Sequence, residues 1–246
     1  MAGLLSLLQK KKKKSNPVCS VVVVAAGSAR RMEGIDKILT PLGELPVLVH
    51  TLYCFQDCDM VSEIVIVTRE DLLVTVGSLC KQYGMSKVTK VVKGGAERID
   101  SVRAGIAEVR SDADVIAIHD GARPLLPEPV LREVLKKGLE TGAAAPALPM
   151  TDTIKRAEGS LAVETIDRNT LFGVQTPQVF DADLIRAALQ KAAEDGENLT
   201  DDCAAVERMG MKVSLTTGSR ENLKLTTPFD LIVAEGILEA RGKGVL

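Results

Sequence analysis

The sequence predicts an α/β fold, a three-layer sandwich around a mostly parallel, twisted sheet with a β-arm inserted late in the chain. Three observations carry this. From Val18 onward, short apolar runs alternate with longer segments of helical period, the rhythm of strand, crossover helix and parallel strand. Those runs are continuously apolar instead of alternating with polar residues, as in strands buried on both faces. The rhythm then breaks between about Pro149 and Pro177, where an inserted arm is expected.

Taken in order, the predicted strands are Val18 to Val24, Glu63 to Thr68, Val88 to Val92, Asp114 to His119 and Ala143 to Leu148, each rich in β-branched residues or alanine. Between them, Ile99, Val102, Ile106 and Val109 recur at helical spacing, and Leu131, Val134 and Leu135 do so after Pro129. In the arm, Thr153 to Arg156 and Ala162 to Asp167 read as short strands around the turn signal Glu158-Gly159-Ser160. Afterwards Asp181 to Glu194 reads as helix and Lys212 to Thr216 as strand. Pro228 to Glu239 is a closing helix with proline at its start.

Composition bounds the function. The chain has 246 residues, 46% of them hydrophobic and 26% charged, enough for a sizeable core. The longest apolar runs, Val21 to Ala26 and Ala143 to Pro149, fall far short of the roughly 20 residues of a membrane span. A net charge of −2 and 2% aromatics argue against nucleic-acid binding, which draws on basic grooves and stacking platforms. Residues 1–17 form a separate basic tail, with Leu4, Leu5, Leu7 and Leu8 ahead of five lysines, Lys10 to Lys14. Its order is the reverse of a signal peptide, and so short an apolar segment anchors poorly to a membrane, so a solvated tail is expected. Without those lysines the balance is 26 basic against 33 acidic residues, or −7, so any anion site in the body (residues 18–246) must be local. The five cysteines have no zinc-knuckle or redox spacing, and Cys54 and Cys58 are expected on one helical face as small apolar residues. A reducing cytoplasm fits this usage.

Three loops carry chemistry. The first, Ala25-Ala26-Gly27-Ser28-Ala29-Arg30-Arg31-Met32, follows the first buried strand, where open α/β sheets bind ligands and small residues let amides approach phosphate. It matches neither the P-loop nor the dinucleotide fingerprint. It supplies Arg30 and Arg31, with Lys37 six residues beyond, cations suited to charge building on phosphoryl oxygens. The second loop, Gly94-Gly95-Ala96-Glu97-Arg98-Ile99-Asp100-Ser101, also joins a strand to a helix, with paired glycines for close backbone approach and Ser101 in the first turn. The third, His119-Asp120-Gly121-Ala122-Arg123-Pro124, puts an aspartate at the ligand edge of a strand. There it could hold Mg²⁺, a hard cation that takes one or two carboxylates plus substrate phosphates.

These loops occur in order with Asp152-Thr153-Ile154-Lys155-Arg156, Asp167-Arg168, Gln175-Thr176-Pro177-Gln178 and Asn222-Leu223-Lys224-Leu225-Thr226. With that ordered set the chain closely resembles the 2-C-methyl-D-erythritol 4-phosphate cytidylyltransferases of the non-mevalonate isoprenoid pathway, from about Val18 to Glu239. The resemblance implies a Rossmann-like nucleotidyltransferase fold and transfer of CMP from CTP to the phosphate of methylerythritol phosphate, releasing pyrophosphate. It also implies Mg²⁺ or another divalent cation. Carried over residue by residue, Arg31 and Lys37 would stabilise the transition state, and Arg168 and Lys224 would orient the acceptor with a hydroxyl contact from Thr153. Asp120 would serve the metal and substrate region, while Gly94, Gly95 and Ser101 would recognise cytosine and ribose. Ala25, Ala26, Gly27 and Ser28 would line the nucleotide pocket, and Arg123 and Thr176 complete the substrate-binding set. The arm, about residues 150–177, would clasp a second chain in a homodimer. Three positions depart from the family's habit: Ala29 stands where glycine is frequent, Ile38-Leu39-Thr40 follows Lys37 in place of Gln-aromatic-Leu, and Gly121 replaces a common alanine. The rival readings are a ribitol-5-phosphate cytidylyltransferase, similar in most motifs, and a catalytically dead nucleotide-binding module.

Overall fold

A computed structural model of the chain describes residues 16–27, 36–197 and 199–245. The Lys10 to Lys14 tail and the Ser28 to Arg31 part of the first loop lie outside these residues. The main sheet runs through β1 (Cys19–Ala25), β4 (Glu63–Thr68), β5 (Val88–Lys93), β6 (Val115–Asp120) and β7 (Ala143–Pro149). Strand β1 pairs in parallel with β4 on one flank and β6 on the other, and β4 pairs in parallel with β5. All five predicted strands are present to within a residue or so at each end.

The helices are α1 (Val47–Gln56), α2 (Leu73–Gln82), α3 (Arg98–Ala107), α4 (Glu128–Thr141), α5 (Ala182–Glu194), α6 (Cys203–Arg208) and α7 (Pro228–Gly242). Side chains alternate across each strand, so Val21, Val23 and Ala25 of β1 join α1, α2 and α4 in one cluster. Val22 faces the other way and packs with α3, α5 and α6. Both clusters are built of buried hydrophobic side chains, and the central strands between them are apolar on both faces for that reason. The result is the predicted three-layer sandwich. Local signals start the later helices: the Asp181 carboxylate accepts from the N–H groups of Asp183 and Leu184, an N-cap. Pro228 opens α7, and Asp230 reaches back to the N–H groups of Thr226 and Thr227 at 2.7 Å. Helix α7 closes a third, smaller cluster with Leu42, Leu125 and Leu225.

The break in rhythm contains more sheet than the pattern predicts. The arm itself is the hairpin of β8 (Ile154–Glu158) and β9 (Leu161–Ile166), turning at Gly159, whose φ of +59° is open to glycine at little steric cost. Beyond it, β10 (Phe172–Val174) and β11 (Gln178–Asp181) return to the main sheet and pair antiparallel with β7. Strand β11 also pairs with β6, and β12 (Ser214–Thr217) covers the opposite flank of β7. The inserted excursion is therefore shorter than residues 150–177. A small hairpin of β2 (Pro41–Leu42) and β3 (Leu45–Pro46) precedes α1. Cys54 and Cys58 do not share a helical face, because α1 stops at Gln56; Cys58 lies past its end in the first core cluster. All five thiols are free, and burial pushes Cys19 up to about 12 and Cys54 up to about 11, the chemistry of small core residues.

Candidate active site

In the sheet order the chain leaves β1 toward β4 and β5 and then returns to β6 on β1's other flank. This is a topological switch point, where open α/β sheets bind ligands at the carboxyl ends of their strands. Val24 and Asp120 are register partners there, and Gly121 N–H donates to the Val24 carbonyl at 2.8 Å. A cleft of about 460 Å³ opens above them. From β1 it takes Ala25, Ala26 and Gly27; from the second loop Gly95 and Ser101; and beyond these Lys37, Asp120 and Lys224. Eight of the predicted residues thus meet in one place from five separate stretches of chain.

Asp120 is the centre of charge. Its carboxylate lies 3.0 Å from the Lys224 ammonium, 3.4 Å from Arg123 Nε and 3.8 Å from Arg98. Burial alone would raise the Asp120 pKa, but Lys224, Arg98 and Arg123 hold it well below the usual carboxylate range. Its backbone is held from behind: Asp120 N–H donates to Thr176 Oγ1 at 3.2 Å, and Thr176 Oγ1 bonds His119 Nδ1 at 3.0 Å. His119 is fully buried, edge-on to Phe55, and burial lowers its pKa to about 4, so the ring is neutral. Its Nε2 faces the Arg123 carbonyl at 3.2 Å, which can only accept. Nε2 therefore carries the proton, and Thr176 donates its hydroxyl to Nδ1.

The second loop is shaped by steric closeness. A Cβ on Gly94 would stand 2.6 Å from Ala26 Cβ and 2.7 Å from Ser101 Oγ, so only glycine lets β5 hand over to α3 this close to β1. Gly94 backs the cleft wall and does not line it. Ser101 Oγ accepts from Gly95 N–H at 3.2 Å and donates to the Glu97 carbonyl. Lys37 follows Asp36, whose carboxylate is bound by Arg69 at 2.6 Å, an ion pair that fixes this end of the phosphate loop.

Ser28 and Arg31 lie outside the described residues. Thr176 and Arg123 are near the cleft but turned to support it: Thr176 holds Asp120 and His119, and Arg123 spans Asp120 and the Asn222 carbonyl at 2.7 Å. Thr153 and Arg168 stand on the exposed arm segment away from the cleft, Arg168 donating to the Thr151 carbonyl at 2.5 Å. Sequence reasoning missed Arg98, which lines the cleft, pairs with buried Asp202 at 2.7 Å and extends toward Asp120. The signal was present, since Arg98 is the arginine of the paired-glycine run. A larger groove of about 720 Å³ lies between α3 and α5, with Arg103 and Arg186 on it, but none of the predicted site residues lines it.

For a hard divalent cation the fit is a single carboxylate. Lys224 occupies one oxygen of Asp120 at 3.0 Å, whereas Arg98 stands 3.8 Å from the other, beyond hydrogen-bond reach. No group of three or more His, Cys, Asp or Glu suited to a metal occurs among the described residues. Such a site suits an ion that takes most of its ligands from substrate phosphates and water.

Comparisons with known proteins give the family. The family model described as 2-C-methyl-D-erythritol 4-phosphate cytidylyltransferase (IspD) matches residues 19–240. The enzyme of that name from Halalkalibacterium halodurans is 44% identical over 214 residues, covering 87% of this chain and 93% of its own. That from Symbiobacterium thermophilum is 45% identical over 222 residues, covering 89% and 92%. Among solved structures, the Anaerococcus prevotii 4-diphosphocytidyl-2C-methyl-D-erythritol synthase superposes with a TM-score of 0.82 at 26% identity, covering 91% of this chain and 97% of that one. With a family model spanning nearly the whole folded body and relatives matched almost end to end, the chain belongs to the 2-C-methyl-D-erythritol 4-phosphate cytidylyltransferase family.

Proposed function

We propose that this chain transfers CMP from CTP to the phosphate of 2-C-methyl-D-erythritol 4-phosphate, yielding 4-diphosphocytidyl-2-C-methyl-D-erythritol and pyrophosphate. The observation that carries this reading is the cleft at the switch point, where Arg98 and Lys224 converge on ionised Asp120 and Lys37 lines the same cavity in a member of that family. An acidic body that gathers cations at one strand edge is built for phosphates.

The acceptor phosphate oxygen bonds to the α-phosphorus of CTP as the bond to pyrophosphate breaks, so no protein nucleophile is required. The cleft agrees with that economy: the Ser101 hydroxyl is already committed to Glu97 and Gly95. Lys37, with Arg31 six residues before it in sequence, neutralises charge that builds on the transferring group. Lys224 orients the acceptor, while Gly95 and Ser101, backed by Gly94, form the base and ribose wall of the cleft that Ala25, Ala26 and Gly27 also line. Asp120 would hold a divalent cation together with the substrate phosphates; when bound, the cation supplies charge neutralisation at the phosphoryl oxygens.

The active form is a homodimer joined through the arm. In support, β8 and β9 form a separate two-stranded sheet whose Leu161 and Val163 are 70% and 50% exposed, which an isolated ribbon does not sustain in water. Such a dimer would carry Arg168 and Thr153 into the partner's cleft. Catalysis is assigned to the body from residue 18 onward, acting in the cytoplasm; no helix among the described residues is long and apolar enough to cross a membrane. The test is pyrophosphate release from CTP and Mg²⁺ with methylerythritol phosphate, run beside ribitol 5-phosphate. Turnover of methylerythritol phosphate is expected. Preference for the ribitol ester would reassign the acceptor, and CTP binding with no release for either would leave a binding module.

A further inference from the structure

The run Asn222-Leu223-Lys224-Leu225-Thr226 supplies Lys224 to the cleft, yet the residue most deeply enclosed in its first half is Asn222, with no exposed surface. The segment from Ser219 to Thr227 lies between β12 and α7 and has neither helix nor ladder to set its course. Two anchors hold it on either side of Lys224. Downstream, fully buried Leu225 donates its N–H to the Ala122 carbonyl at 2.8 Å. Upstream, the Asn222 side-chain amide donates to the Thr176 carbonyl at 2.8 Å and faces Gln175 Oε1 at 3.4 Å. The Asn222 main-chain carbonyl in turn accepts from the Arg123 guanidinium at 2.7 Å.

Both of those partners lead to Asp120. Arg123 contacts its carboxylate, and Thr176 accepts its backbone N–H. Gln175 reaches this segment too, its side chain bonding the backbone of Ser219 at 2.8 and 3.2 Å. Asn222, two positions from Lys224, is the side chain of the segment itself that reaches the Thr176 carbonyl, in the turn that also supports Asp120. Its orientation is fixed, because turning the amide over would set Oδ1 against the oxygens of Thr176 and Gln175. In the orientation present, Asn222 Oδ1 is buried and meets no hydrogen-bond partner among the described residues, a costly arrangement that an aliphatic side chain would avoid. Sites that break such a rule do so where the geometry they hold matters.

We propose that Asn222 is a positioning residue that sets the Lys224 ammonium against Asp120, and so fixes where the acceptor phosphate is received. It does so without touching substrate. This rests on the cytidylyltransferase reading above. The test is a double-mutant cycle of Asn222→Ala with Lys224→Ala, read as kcat/KM for methylerythritol phosphate at saturating CTP. Asn222→Ala alone is expected to lower kcat/KM by roughly 10-fold to 100-fold, with KM for CTP within about 2-fold of wild type. In the Lys224→Ala background the same change is expected to cost less than about 3-fold, since its effect runs through a lysine already removed.

Equal fold-losses in the two backgrounds, or full activity in Asn222→Ala, would overturn the inference. If Asn222→Ala does not fold, Asn222→Ser enters the same cycle; failure of both to fold would make Asn222 a folding residue only, and the proposal would be wrong. Wild-type protein that releases no pyrophosphate with this acceptor would sink the functional reading itself, whereas an active wild type with an additive cycle sinks only the role of Asn222.

Discussion

His119 makes acid a selective probe of the site's foundation. Its ring is fully buried, donates from Nε2 to the Arg123 carbonyl at 3.2 Å and accepts from Thr176 at 3.0 Å. A proton on Nδ1 would turn that acceptor into a donor and place a charge beside Phe55 on a ring closed off from the surface. Burial accordingly lowers its pKa from 6.5 to about 4. The unfolded chain takes up this proton near pH 6.5 while the folded protein resists it until about pH 4, so stability rises with pH across that window. The contribution, about 3 kcal/mol in all, is complete above roughly pH 6.5 and lost as pH falls toward 4. Asp120 acts in a different window: its pKa is lowered, so its share is intact above its ordinary value near 4 and is lost only in stronger acid.

The perturbation is His119→Gln, whose amide can donate where Nε2 does but does not titrate. Urea unfolding of both proteins at about pH 7.5 and about pH 4.5 gives the stabilities. Wild type is expected to lose about 2 to 3 kcal/mol more than the variant on acidification. Whatever His119→Gln costs at neutral pH, other groups titrate alike in both proteins, so the difference in slope isolates the imidazole. Equal slopes, or a wild type that gains stability in acid relative to the variant, would refute the reasoning.

Three further outcomes test the site. Lys37→Ala should lower kcat roughly 100-fold or more with the acceptor KM held within a few-fold; stopped-time pyrophosphate assays showing normal kcat and a raised KM would make Lys37 a binding residue. Gly94→Ala pushes a methyl against Ala26 and Ser101, so KM for CTP should rise by roughly 10-fold or more while KM for the acceptor changes little, and an unchanged CTP KM would count against the base wall. Lys37→Ala and Arg168→Ala homodimers should each be nearly inactive, and refolding them together in equal amounts should restore roughly a quarter of wild-type activity if subunits pair at random. A mixture that stays dead would show that Arg168 serves its own subunit.

Much of the architecture is local, and the sequence alone determined it. A strand buried on both faces must be apolar throughout, so β1, β4, β6 and β7 announce themselves within a residue or so, and the spacing of Ile99, Val102 and Ile106 does the same for α3. The half-exposed edge strand β5 is marked by its valines alone. The placement of Asp120 and Gly94 at strand ends follows from those boundaries. Tertiary structure decided the rest, because the deciding contacts join residues far apart in the chain. Strand β11 reads Gln-Val-Phe-Asp and becomes a strand by lying between β6 and β7. Arg98 is one charged residue at a helix start until folding brings it between Asp120 and Asp202. Asn222 looks like a loop asparagine until its amide meets the Thr176 carbonyl 46 positions away. Periodicity records which face of an element is buried; it carries no record of which distant polar group a buried side chain will meet, and in this protein those meetings build the site.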